Sequence, residues 1–343
     1  MTLAARLTAQ QLAGEPARDA VAVAERLLAV QAQDPRGARL AVRARTLGSG
    51  TRAADVDRAL TRERTLVISW LNRGTLHLVR REDWSWLHAL ATPPLLSASA
   101  RRLAQEGVPP AAAERGVAAV ERALADEGPL TREQLRERIA AAGVRTAGQA
   151  LVHVLMAASL RGLVVRGPLV GARHAFALVR DWLGEEACKA VDRDVALAEL
   201  ASRYLAGHGP ASDRDLARWA GLALRDARAG LAAIAPRLEQ RADGLVDLAR
   251  RPPAAELPPP RLLGAFDPLL LGWTSRADVL GEHTRIVTTN GVFRPFALVR
   301  GRAAATWRLA GGVVALEPLG PMSRRDAAAL RADADDVVRF LGG

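Results

Sequence analysis

Apolar residues recur at helical spacing through Val21, Val23, Leu27, Leu28 and Val30, and the pattern stops at Gln31. It resumes after Asp34-Pro35. Aspartate is a good N-cap and proline suits a first helical position, so Leu40, Ala44 and Leu47 are expected as the buried face of a second helix. Arg36, Arg39 and Arg43 share the opposite stripe. Helices are predicted near residues 21–31, 35–47 and 53–62, leading into strands at 66–72 and 75–79. In the second strand Thr75, His77 and Val79 alternate with Leu76 and Leu78, which predicts a half-buried strand whose outer face carries Thr75 and His77.

A weak repeat follows. LTAQQL (Leu7 to Leu12), LTREQL (Leu130 to Leu135) and ASDRDL (Ala211 to Leu216) each set a hydroxyl three residues before Gln or Asp, the arrangement of a capping box. After the second copy come a helix around 147–161 and two strands within 163–179 joined by a Gly-Pro-Gly loop; after the third, a helix around 224–238 and a hairpin turning at Asp243-Gly244. Helix, turn, helix, hairpin is the order of a winged helix-turn-helix. A proline-rich linker from Arg251 to Pro260 then gives way to strands at 285–289, 296–299, 303–309 and 313–317, expected as a small antiparallel sheet. Ser323 caps a final helix to Phe340.

The chemistry suggested by this pattern sits at its first break. A proline pushes the preceding residue towards extended geometry, so the junction can turn Gln31 and Gln33 to one side. Amides at helix ends are as a rule solvated or capping groups, and Asp34 reads first as a cap. Asp267, before Pro268, reads as a turn residue and a distant catalytic candidate.

Composition narrows the partners. With 343 residues, 49% of them hydrophobic, the chain has material for two to four small cored domains and is not disordered. Its formal charge of +11 favours polyanions, and eleven arginines lie between Arg36 and Arg81 against Asp55, Asp57 and Glu63. Lys189 is the only lysine, so part of the arginine preference is compositional bias; arginine nonetheless suits bidentate contacts with phosphate. Cys188 stands alone, which excludes an internal disulfide and a cysteine-based zinc site, and His77 has no neighbouring metal-ligand spacing. No run reaches membrane-spanning length and no signal-peptide core is seen, so a cytoplasmic protein is expected.

The segments LLAVQAQDPRGARLAVRAR, RGTLHLV, GPLTREQL, RYLAGHGPASDRDLARWAG, FDPLLLGW and NGVFRPFALVRGRAAATW together resemble the winged-helix bacterial DNA glycosylases of the AlkZ type, in order and across nearly the whole chain. The resemblance implies an α+β, mostly helical fold. Three tandem winged helix-turn-helix modules (residues 1–110, 111–190 and 191–255) and a β-rich region with a final helix (256–343) would form a curved, basic DNA-binding channel. It implies excision of N7-alkylated purines from double-stranded DNA, including bulky genotoxin adducts or crosslinks in self-resistance.

In that family a Gln-x-Gln motif carries catalysis in one branch, which assigns the role here to Gln31 and Gln33, with Asp34 as electrostatic assistance. Arg36, Arg39, Arg43, Arg73, Thr75 and His77 are the expected DNA contacts. No metal or organic cofactor, no lysine for a lyase step and a monomeric state are expected. Two other classes stay open: a non-enzymatic winged-helix regulator reading an operator, and a protein that sequesters the genotoxin itself.

Overall fold

A computed structural model describes residues 2–288 and 290–342. The chain forms two compact units, residues 1–56 with 197–343 and residues 57–196. The fold is α+β with antiparallel sheets, and helices account for about half of the chain, less than the mostly helical expectation.

In the first unit, strands Arg261–Leu263, Phe296–Val299, Arg302–Ala310 and Val313–Pro318 form one antiparallel sheet, with each strand hydrogen-bonded to the next in chain order. Alternation decides which face is inward: Ala303, Ala305 and Trp307 are buried, while Arg302 and Arg308 are exposed. The helix Arg324–Leu341 covers that face with Leu330 and Val337, and Leu40 of the helix Pro35–Arg43 joins the same core. Ser323 caps the former by accepting from the Asp326 amide at 3.0 Å. Sequence reading missed the strand Arg261–Leu263, which is too short to show a period. The expected strand at 285–289 is replaced by a 3₁₀ turn, Thr284–Ile286, and a single bridge between Val287 and Phe293; Thr289 lies outside the described residues.

The same unit holds helices Asp213–Ala220 and Leu224–Ala233, followed by the hairpin Leu238–Gln240 and Val246–Leu248, which turns through Gly244 at φ 81°. Ser212 and Asp215 form the expected capping box. The first repeat copy does not. Thr8 lies inside the helix Thr2–Ala9, and its hydroxyl donates back to the Ala4 carbonyl at 2.9 Å.

In the second unit the strands line up as Leu76–Arg80, Leu66–Trp70, Val164–Val170, Arg173–Leu178 and Leu130–Thr131, all antiparallel. Thr131 and Gln134 form a capping box that starts the helix Arg132–Ala141, and the helix Ala150–Leu160 leads into the hairpin. That hairpin turns at Gly171, with φ 61°, the last glycine of the expected Gly-Pro-Gly loop, while Gly167-Pro168 stays within the first strand. The register shift between Arg166 and Leu169 shows why: Gly167-Pro168 is absorbed as a bulge, where a missing donor is tolerated.

Candidate active site at the glutamine junction

The first long apolar helix ends at Leu27, four residues before the expected boundary. Leu28 adopts φ 64°, ψ −45°, and the Ala29 amide donates to the Leu27 carbonyl at 2.7 Å, which closes a γ-turn of the rare positive-φ sense. A branched side chain in this region costs on the order of 1–3 kcal/mol and persists only where packing enforces it. Leu27, Leu28 and Val30 are completely buried, and that packing is the enforcement.

The turn throws Val30–Gln31 into an extended strand, so Gln31 is not on the helix at all. Three residues later Asp34 takes extended geometry and its carboxylate accepts from the Arg36 amide at 2.9 Å, capping Pro35–Arg43 with Pro35 in the first turn. Between these two turns the glutamines meet: the Gln31 Nε2 group donates to Gln33 Oε1 at 2.8 Å. Gln31 is buried and Gln33 exposed. In this arrangement the inner amide orients the outer one, and a carbonyl-type oxygen that accepts one hydrogen bond retains capacity for a second.

The helix behind the junction is held by close backbone approach. A Cβ at Gly37 would stand 2.4 Å from the Ala265 carbonyl oxygen, and one at Gly264 would stand 2.9 Å from the Leu40 Cβ. Only glycine permits that contact.

Beyond it lie buried ion pairs. Arg43 donates to Asp333 at 2.8 and 3.0 Å, to Asp336 at 2.8 Å and to the Leu262 carbonyl at 2.9 Å. Its side chain is 1% exposed, so the expectation that Arg43 meets phosphate is corrected: the residue faces the core because the carboxylates of Arg324–Leu341 draw it there. Arg45 and Asp267 form a fully buried bidentate pair, both bonds 3.0 Å, and Gln10 accepts from Arg45 at 2.8 Å. Asp267 also accepts from the Leu269 amide at 2.9 Å, capping that turn, and is completely buried. Arg261, a further buried arginine here, is pushed down to about 10, by burial first and then by Arg43 and Arg45, against the pull of Asp333 and Asp267.

Of the expected surface arginines, Arg36 is exposed, and Arg39 is half-buried with a guanidinium bond to the Pro35 carbonyl at 2.8 Å. Thus Gln31, Gln33, Asp34, Arg36 and Arg39 gather at one junction.

Arg73, Thr75 and His77 belong to the other unit. Arg73 has φ 57° in the tight turn Asn72–Gly74, and the Thr75 hydroxyl donates to the Asn72 carbonyl at 3.2 Å. The expected surface position of His77 is corrected: Leu76, His77, Leu78 and Val79 are all buried, because both faces of this strand are covered. His77 Nδ1 lies 2.9 Å from the Thr75 carbonyl oxygen, which only accepts, so Nδ1 carries the proton of a neutral ring. Burial, with the nearby Arg73 charge, pushes His77 down to about 3, against a small opposing effect of the Thr75 bond.

Sequence reading missed Leu28, for which no local signal exists, and the pairing of Arg43 with Asp333 and Asp336. The i,i+3 spacing of those aspartates on one helix face was the available clue. Among the described residues, no group of three or more His, Cys, Asp or Glu side chains could hold a metal ion. No helix among them is long and apolar enough to cross a membrane.

A search among curated proteins found no match. Among solved structures, the chain is similar to the Streptomyces sahachiroi DNA glycosylase AlkZ, with TM-score 0.79 and 25% identity over 99% of this chain and 95% of that one. The family model described as DNA glycosylase AlkZ-like matches residues 24–340. With the glutamine junction and its packed helix inside the matched region, this chain belongs to the DNA glycosylase AlkZ-like family.

Proposed function

We propose that this chain is a monofunctional DNA glycosylase that hydrolyses the N-glycosidic bond of N7-alkylated, cationic purines in double-stranded DNA, with Gln31 and Gln33 as its catalytic pair. The observation that carries this reading is the 2.8 Å bond from Gln31 to Gln33. Two neutral amides locked together supply directed dipoles and no proton. That chemistry suits one class of leaving group.

Most glycoside hydrolysis needs an acid to protonate the departing group and a carboxylate to act on water or sugar. An N7-alkylated purine is already positive. When its C1′–N9 bond breaks, the electron pair neutralises the base and leaves an oxocarbenium-like sugar, which water attacks at C1′ before losing a proton to solvent. The protein's task is to steady that cation and hold the water, and oriented amide oxygens do both. Gln33, exposed and accepting from Gln31, is the group placed to touch water and sugar; Gln31, buried beneath it, fixes its orientation. An unmodified purine, lacking the charge, should stay intact.

The runs of helix, helix and hairpin are proposed as winged helix-turn-helix modules, residues 1–110, 111–190 and 191–255, with 256–343 completing the DNA-binding surface. Arg36, Arg39 and Arg73 are the proposed phosphate contacts, and Asp34 is assigned to capping. Base release from a duplex carrying N7-methylguanine, compared with the same duplex unmodified, tests the function.

A further inference from the structure

The structure assigns to Arg43, Asp333 and Asp336 a positioning role for the glutamine junction: the buried clamp at the far end of Pro35–Arg43 sets where that helix begins, and therefore where Gln33 points. The inference rests on the proposed chemistry at Gln31 and Gln33.

The helix Pro35–Arg43 is nine residues long and starts two residues after Gln33, with Asp34 as its cap between them. At about 1.5 Å per residue it is a rigid rod of roughly 13 Å, too short to absorb a shift at one end by bending. Its last residue, Arg43, is gripped from two sides. Asp333 and Asp336 hold it from Arg324–Leu341, and the Leu262 carbonyl holds it from the sheet. Asp333 closes the triangle by accepting from the Leu262 amide at 2.6 Å. From Leu262 the chain runs straight into Gly264 and Ala265, the backbone on which Gly37 rests. The rod is thus fixed in direction by the charged fork and in height by the glycine contact.

A stabilising purpose alone does not explain charges in this place. Removing two ions from water is costly, and apolar replacements of matched shape often give equal or greater stability. Apolar contacts, however, are non-directional, whereas a guanidinium fork on a carboxylate fixes angle as well as distance. Direction is what a water-holding amide needs.

The test replaces the charges together. In Arg43→Met with Asp333→Asn, the net charge of the core is unchanged, the new side-chain amide still has an oxygen for the Leu262 N–H, and Asp336 keeps Arg339 at 2.6 Å. Melting temperature, affinity for a duplex carrying N7-methylguanine and the single-turnover excision rate at saturating enzyme are measured side by side. We expect melting and affinity near wild type and an excision rate lowered about tenfold to a hundredfold, the effect of a small misplacement. If the pair does not fold, Arg43→Lys is read in its place, since it keeps the charge and loses the fork; the same split between affinity and rate is expected. An excision rate equal to wild type, or one that falls only in step with melting temperature, overturns the positioning role. Wild-type protein that releases no base overturns instead the functional reading on which it rests.

Discussion

Gln31 donates its side-chain amide to the side-chain oxygen of Gln33 at 2.8 Å, although residues two apart would point away from each other on a helix. The bond exists because Leu28 breaks the preceding helix with a γ-turn and Asp34 starts the next one, leaving an extended stretch between. Its direction makes the two glutamines unequal.

The inequality is measurable. Gln33→Ala removes the group that touches water and should lower single-turnover excision about a hundredfold or more. Gln31→Ala removes the orienting partner and should cost less, about tenfold to a hundredfold, with lesion affinity retained in both. A larger loss for Gln31→Ala than for Gln33→Ala would reverse the assignment.

Gly37→Ala tests the packing beneath the junction. Its new Cβ would meet the Ala265 carbonyl oxygen at 2.4 Å, a backbone atom with little freedom to retreat. Overpacking of this kind costs about 1–3 kcal/mol. Chemical denaturation should show that loss despite the gain in helix propensity; an unchanged or raised stability would mean that the loop at Ala265 yields.

Asp267→Ala addresses the buried pair with Arg45. Stranding a buried guanidinium costs roughly 3–5 kcal/mol, so the variant should be strongly destabilised. Under conditions where it remains folded, its excision rate per folded molecule should match wild type. A selective loss of excision in folded protein would return Asp267 to the catalytic candidates.

The pH dependences of rate and of stability should part company. Neither glutamine titrates, and His77, held down to about 3, stays neutral, so the excision rate should be flat from about pH 6 to pH 9. A bell-shaped profile would point to an acid or base other than these groups. Stability behaves differently, because the unfolded chain protonates His77 near its ordinary 6.5 while the folded chain resists to about 3. The unfolded state therefore binds more protons in that interval, and stability is present above pH 6.5 and lost as pH falls, by about 1.4 kcal/mol per unit for this group. His88 and His153, also lowered by burial, act in the same sense. Denaturant titrations at several pH values should give a shallower slope for His77→Gln than for wild type; equal slopes would exclude His77 as a contributor.

What was legible in the sequence were features set by local rules. The caps at Asp34, Thr131, Ser212 and Ser323 and the strand Phe296–Val299 follow from neighbours within a few residues, and the structure contains each. What was illegible depends on partners far along the chain. Arg43 reads as a surface cation until Asp333, 290 residues away, is placed beside it, and Asp267 reads as a turn until it meets Arg45. His77 looked outward because alternation reports a strand's two faces and not whether something covers the second. Leu28 is the clearest loss: nothing in its neighbours announces a positive φ, yet it sets the geometry of the pair.

The most direct measurement is base release from a duplex with a single N7-methylguanine, at saturating protein, for wild type and for Gln31→Ala with Gln33→Ala. We predict release of the free methylated base by wild type, none from an unmodified duplex, and at least about a hundredfold slower release by the double variant with binding retained. Equal release by both proteins would place the chemistry elsewhere, and no release by wild type, with tight binding to undamaged DNA, would contradict the glycosylase itself.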